Sequence, residues 1–313
     1  MIIHTFMFQV LQKMQDEMGE NVTVSLQDIT KNNGVVLTGL TIAQKNVNIS
    51  PTIYLEDFYE EYEKGKSMED VMEEIKEIFY RSKMDRDIDM KFFTEYEQAK
   101  KRIVFKLINY DKNRELLKTI PHREYLDLAV VYYYLVDMKE FSNATILIHN
   151  KHMESWQIDE ETLYELASKN TPQLLKTNFC GMMEVLKELA EEDFWCDILG
   201  ESSDEENGLL MEAHKETDAT GMYVLSNQSR LYGAGVLLYE GVPEQCREQL
   251  GSNFFILPSS VHEVILVPDL GQVTREKLGE MVREVNATQV EEQEQLSDFV
   301  YYYDGENRGI VRL

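Results

Sequence analysis

One run constrains the fold more than any other. Residues 128–135 read Leu-Ala-Val-Val-Tyr-Tyr-Tyr-Leu, eight positions with no charge and no polar alternation. A strand with one wet face alternates apolar and polar side chains. A strand that is apolar throughout has neighbours over both faces. The wider stretch 125–136 therefore predicts a central strand in a sheet. Ile103–Tyr110 and Ala144–His149, rich in β-branched and aromatic residues, read as further strands.

On the N-terminal side the period changes. Phe6, Val10, Leu11 and Met14 share one face of a predicted helix over 4–18, which Gly19 stops. Val22–Ile29 and Val35–Ile42 read as strands joined by a turn holding Asn32-Asn33-Gly34. Ser50-Pro51 predicts a helix start, with Tyr54, Phe58 and Tyr62 four apart along it. The clearest helix follows. Ser67 and Asp70 form a capping pattern, and Met68, Val71, Met72, Ile75, Ile78 and Phe79 obey the i, i+3, i+4 rule. Its other side carries Glu69, Glu73 and Glu77.

Asp159 caps a predicted helix that Asn170 and Pro172 end, and another helix is expected over 182–190. Strands are predicted at Met222–Ser226, Val236–Tyr239, Phe254–Leu257 and Val264–Val267, with a helix at Glu244–Leu250. Thr274 caps a last long helix, and Phe299–Tyr303 with Ile310–Leu313 read as a closing hairpin. The strand, loop, capped helix and Asn at 145–170 recur at 264–286, as a duplicated unit would show. The fold class is therefore α+β. Its expected organisation is an N-terminal helix-hairpin-helix region at 1–100, a first α/β unit at 101–196, an acidic linker or loop at 197–219 and a second α/β unit at 220–313.

Charge removes several functions. The 313 residues hold 57 acids against 31 Lys and Arg, a formal charge of −26. Without a dense basic stripe, direct binding to nucleic acid or to an anionic membrane is not expected. No run approaches the ~20 apolar residues of a membrane helix. The first residues lack the basic and small-residue pattern of a signal peptide. Three cysteines (Cys180, Cys196, Cys246) are an odd number without metal-type spacing. A reducing cytoplasm is the expected setting.

No complete catalytic constellation is present. Gly65-Lys66-Ser67 lacks the upstream glycine and strand of a phosphate loop. Gly233-Ala234-Gly235 lacks the third glycine of a dinucleotide fingerprint and reads as a turn before a strand. The bend Ser259-Ser260-Val261-His262-Glu263 holds two hydroxyls, an imidazole and a carboxylate. A serine there with His262 and a distant carboxylate would suit nucleophilic catalysis. On an extended chain, however, His262 and Glu263 face opposite sides, so the plainer reading is a structural turn. His149 and His152 would share one side of a helical turn, the start of a metal site, but no third ligand lies near. Neither a metal nor a cofactor is expected. Asp127, Asp137 and Lys139 echo a nuclease strand end, yet the basic surface that holds a nucleic acid is absent.

Six stretches together carry a resemblance. They are Pro51–Leu55, Lys106–Asn109, Leu126–Tyr132, Tyr223–Asn227, Phe255–Glu263 and Met281–Asn286. Over about residues 35–303 the chain resembles the bacterial family called domain of unknown function 5688. The resemblance implies a bacterial cytoplasmic protein of mixed α/β fold and brings no activity and no site residue with it. The residues themselves favour a non-enzymatic module that binds another protein, basic in character, through an acidic face (Glu69, Glu73, Glu77) or a Tyr-rich face. Two alternatives stand beside it: a hydrolase-like enzyme centred on Ser259 or Ser260 with His262, and an acidic mimic of nucleic acid acting on a basic protein.

Overall fold

In a computed structural model the chain is described at residues 2–19, 22–45, 47–84, 86–137, 144–187, 221–258 and 260–313. Cys196, Ser259, Lys139 and the acidic segment 197–219 lie outside the described residues. The chain is α+β and divides into two compact units, Met1–Phe92 and Phe93–Leu313. Both α/β regions expected from sequence fall within the second. Among the described residues no helix is long and apolar enough to cross a membrane.

Unit 1 begins with α1 (Ile3–Met18), which Gly19 ends at φ 76°. Strands β1 (Val22–Thr30) and β2 (Val36–Gln44) pair antiparallel from Val22↔Gln44 to Thr30↔Val36. Asn33 and Gly34 take the left-handed conformation that a sharp reversal needs, at φ 61° and 75°. The helix expected from Pro51 begins later. Thr52–Tyr54 forms β3 on the edge of β2, and α2 spans Glu56–Glu63. Thr52-Ile53-Tyr54 is β-branched and aromatic, and the open edge of β2 gives its backbone partners that a helix start would not.

Helix α3 (Met68–Ser82) opens as predicted, with the Asp70 N–H donating to Ser67 Oγ at 3.1 Å. Its apolar stripe (Val71, Ile75, Phe79) joins Phe6, Val10 and Met14 of α1 and Leu40 and Ile42 of β2 in one core. Each such side chain contributes roughly 1.5–3 kcal/mol on full burial. The exposed Glu row costs only tenths of that per pair.

Unit 2 is built on two antiparallel sheets. Strand β4 (Ile103–Asn109) leads into a helical turn at Asp111–Asn113 and α4 (Arg114–Leu117), then β5 (His122–Tyr125), β6 (Leu128–Leu135) and β7 (Thr145–Leu147). The eight residues of β6 are all buried. β4 pairs along the length of β6, while β5 and β7 pair with its first and last parts. The predicted central strand is thus central, though its expected start at Tyr125 belongs to β5. A turn at Leu126-Asp127 separates the two.

Helices α5 (Asn150–Trp156) and α6 (Glu160–Leu174) follow. α6 runs two residues past Pro172, its predicted stop. Its last turn is tied to β4. Asn170 Nδ2 donates to the Lys100 and Ile103 carbonyls at 2.8 and 2.9 Å, and the Phe105 N–H donates to Thr171 Oγ1 at 3.1 Å. These bonds offset the single N–H that proline lacks.

The second sheet runs β13-β12-β10-β11-β9-β8. It is made of β8 (Thr177–Gly181), β9 (Tyr223–Asn227), β10 (Phe254–Leu257), β11 (Val264–Pro268), β12 (Tyr301–Asp304) and β13 (Gly309–Arg312). Helices α7 (Val242–Leu250) and α8 (Arg275–Thr288) connect its strands. β8 carries no hydrophobic alternation and was not legible. Of the predicted helix 182–190, residues 182–187 are helical and the rest lie outside the described residues.

The strand expected at Val236–Tyr239 is instead part of a 3-10 helix, Gly233–Leu238, buried at five of six positions. A short apolar run has no period to tell these apart. Its first residues bond to the 260s turn, with the Ala234 N–H donating to the Val261 carbonyl at 3.2 Å. The internal echo is partial. Asn286 Nδ2 donates to the Ser297 carbonyl before β12, much as Asn170 does before β4. Yet β7 is a three-residue edge, while β11 lies between β9 and β10.

Candidate functional site

Unit 1 carries a groove of about 530 Å³ lined by Glu17 and Met18 at the end of α1 and by Glu73, Lys76, Glu77 and Tyr80 of α3. Residues 73, 76, 77 and 80 share a helix face by their i, i+3, i+4 and i+7 spacing. The inner face of the same helix is fixed by Ile75 and Phe79, both buried. Lys76 Nζ donates to Glu17 at 2.8 Å, joining the two helices. That hydrogen bond first, and the charges of Glu17 and Glu73 after it, hold the Lys76 ammonium above the usual lysine range. Three carboxylates and one ammonium leave the lining at a formal −2. Tyr80 is 58% exposed, and its ring already carries the Lys83 ammonium 5.5 Å from its centre.

Of the three predicted binding residues, Glu73 and Glu77 thus line a groove, and Glu69 is exposed on the first turn of α3 outside it. Glu17, Met18, Lys76 and Tyr80 were missed. The spacing on α3 could have supplied Lys76 and Tyr80; no sequence signal could have brought in α1. The two Tyr runs at 132–134 and 301–303 form no exposed face. Tyr132, Tyr133, Tyr134, Tyr301 and Tyr303 are buried because their strands are covered, and only Tyr302 is half-buried.

The second predicted cluster lies in unit 2. The His262 N–H donates to Ser260 Oγ at 3.0 Å, and Ser260 is buried and bridged to Gln295. The His262 ring has other partners. Its Nδ1 lies 2.9 Å from the Arg230 carbonyl and 3.3 Å from the Tyr232 N–H, and Nε2 faces Glu294 at 3.4 Å. Among the described residues no serine hydroxyl bonds to the ring. Ser260 is held in a turn by the His262 N–H and does not pair with the ring, while Ser259 lies outside the described residues.

What fixes this corner is the loop after β9. Asn227, 1% exposed, accepts the Ser229 and Leu231 N–H groups at 3.1 and 3.2 Å. Arg230 and Tyr232 are then forced to φ 49° and 53°, a costly conformation for side chains of that size. Tyr232 stacks on the His262 ring (centroids 5.6 Å, 16°) and takes the Lys106 ammonium 3.8 Å from its own centroid.

Glu263 is half-buried beside His262. Burial first pushes its carboxyl up, Glu294 adds to that, and His262 and Arg230 oppose it. A carboxyl raised by the fold costs stability when ionised. The cost is present above the folded value and disappears as pH falls towards the ordinary 4.5. Glu263→Gln is therefore expected to raise the melting temperature at pH 7, with the gain shrinking as pH falls towards 4.5 and gone below it. Thermal melts across that range check it. A loss at pH 7 would mean the attraction to Arg230 and His262 outweighs burial.

His149 and His152 do adjoin, with centroids 5.7 Å apart. His152 Nδ1 accepts the His149 N–H at 3.0 Å, and its ring packs edge-on to Phe93. Burial, then His149, lowers its pKa. Among the described residues no three His, Cys, Asp or Glu side chains are grouped to hold a metal. Asp137 pairs with Arg102 at 3.1 Å, and Asp127 accepts from Ser297 and Tyr301.

Residues 3–305 match the model of a family described as a family of unknown function, DUF5688. No curated protein and no solved structure matches.

Proposed function

The chain belongs to the DUF5688 family, whose function is unknown, and on that premise we propose that it is a cytoplasmic binding module for a cationic segment of another protein. The occupied surface is the groove of unit 1. The observation that carries this reading is its lining: Glu17, Glu73 and Glu77 beside exposed Tyr80 and half-buried Met18. The carboxylates suit a lysine or arginine, and the ring and thioether suit the apolar stem of such a side chain. Ordered helices on both sides keep the reorganisation cost of binding low.

The same surface favours a groove over a nucleic-acid mimic. A mimic needs an unbroken row of negative charge, whereas Lys66 bridges Glu61 and Glu74, and Lys76 bridges to Glu17. The hydrolase reading draws no support from the His262 corner, whose ring nitrogens are turned to Arg230 and Glu294.

The test is an NMR titration of the full chain with a Lys/Arg-rich nonapeptide. Saturable shifts are expected at Glu17, Glu73, Glu77 and Tyr80, weakening as salt rises past the screening range. Glu73→Gln with Glu77→Gln should weaken binding about tenfold, or about 1.4 kcal/mol. Glu69→Gln, outside the groove, should change it less. Shifts spread evenly over every acidic surface, or an unchanged affinity in the double variant, would end the proposal.

A further inference from the structure

Unit 2 has a depression of opposite character. It encloses about 390 Å³ and is lined by Tyr110, Arg114, Leu117, Lys118 and His122. That volume is within the usual range of small-molecule sites, about 300–1,000 Å³. Lys and Arg together are 31 of the 313 residues, about one in ten. Here they are two of five, a histidine is a third, and no carboxylate lines the space among the described residues.

The parts are arranged by the fold. Leu117, 4% exposed, is the floor and belongs to the core cluster of Ile108, Ile120, Ala129 and Val131. The Tyr110 and His122 rings lie 6.1 Å apart at 57° and give the space an aromatic wall. The Tyr110 hydroxyl is hydrogen-bonded to Glu124, so this residue offers its ring. His122 Nδ1 is 3.2 Å from the Ile120 carbonyl, which leaves Nε2 as the ring's second polar atom. Arg114 and Lys118 stand four apart and supply the charge.

Among the described residues both cations are paired to neighbours in sequence. Arg114 uses Nε and Nη2 on Asp111, and Lys118 bonds Glu115 at 2.5 Å. All four side chains are 67–86% exposed. Exposed pairs of this kind contribute little, so a better-placed dianion can compete with them.

We propose that this depression binds a small aryl phosphate monoester. The flat body would lie against Tyr110, His122 and Leu117, and the phosphate would lie between Arg114 and Lys118. The inference is independent of the unit 1 groove.

The experiment is an NMR titration of the full chain with phenyl phosphate, with inorganic phosphate and phenol as separate arms. Saturable shifts of the Tyr110 and His122 ring signals are expected, with each fragment binding at least tenfold more weakly. Arg114→Gln with Lys118→Gln should weaken phenyl phosphate at least tenfold. Lys118→Gln alone, at a side chain two-thirds exposed, should give part of that loss in a fold it cannot disturb. Absence of saturation, equal binding of inorganic phosphate, or indifference to the substitutions would overturn the proposal. A phosphotyrosyl peptide binding more than tenfold tighter than phenyl phosphate would overturn the small-molecule assignment.

Discussion

Replacing Gly233 with alanine is expected to destabilise unit 2 by about 3 kcal/mol. A Cβ at this position would lie 2.8 Å from the Asn227 backbone nitrogen, and closer still to Ser226 Oγ and the His262 carbonyl oxygen. Two of those three atoms are backbone, in a strand and a turn that are themselves hydrogen-bonded. Ser226 Oγ donates to the same His262 carbonyl at 2.7 Å, so the serine cannot swing away without losing its partner. Gly233 does not have a positive φ, so the cost is steric rather than conformational. For a unit of this size the melting temperature should fall by about 10 °C. Gly305→Ala is the control, because there the neighbours are atoms of the long Arg247 side chain, which can move. Calorimetry of both variants checks the contrast. Equal, small losses would mean that the loop before Gly233 relaxes freely.

Asp127→Ala should cost nearly as much, about 2–4 kcal/mol. The carboxylate sits at the β5–β6 turn and accepts from Ser297 Oγ at 2.7 Å and from the Tyr301 hydroxyl at 2.9 Å. Ser297 is 2% exposed and Tyr301 0%. Removing the acceptor strands two buried hydroxyls far from water. Asp127→Asn keeps an acceptor and should recover part of the loss. Tyr301→Phe should cost less in the Asp127→Ala background than in the wild type, because one orphaned group is then gone. Denaturant unfolding of the four proteins measures that coupling. Strict additivity would show that the two residues do not work together.

Much of this fold was legible where a long pattern met a clear boundary. The stripe of α3, the caps at Ser67, Asp159 and Thr274, and the uniform apolarity of β6 left little choice. The misreadings share one cause: a distant partner decided the local state. Thr52–Tyr54 became a strand because β2 had an open edge, and α6 continued through Pro172 because β4 held its last turn. The 3-10 helix at Gly233–Leu238 forms where its backbone must fit under the 260s turn. The groove of unit 1 was half legible. Glu73 and Glu77 lie on a readable helix face, but Glu17 reaches them through packing of α1 on α3. The depression in unit 2 was not legible at all, since Tyr110, Arg114 and His122 come from a strand end, a single helical turn and another strand.

The tie between Asn109 and the Leu296 carbonyl spans 187 residues, and those from Asp127 to Ser297 and Tyr301 span 170 and 174. During synthesis these bonds have a timetable. Unit 1 has all its strands and core once its 92 residues have emerged, and it can close early. The sheet around β6 is also complete early, by Leu147. Its anchors at 296–301 follow only after about 7 to 30 seconds of further elongation. Over that interval the Asn109 amide and the Asp127 carboxylate lack these late partners. The second unit thus completes its ties only near the end of synthesis, while the first has every strand of its own sheet long before.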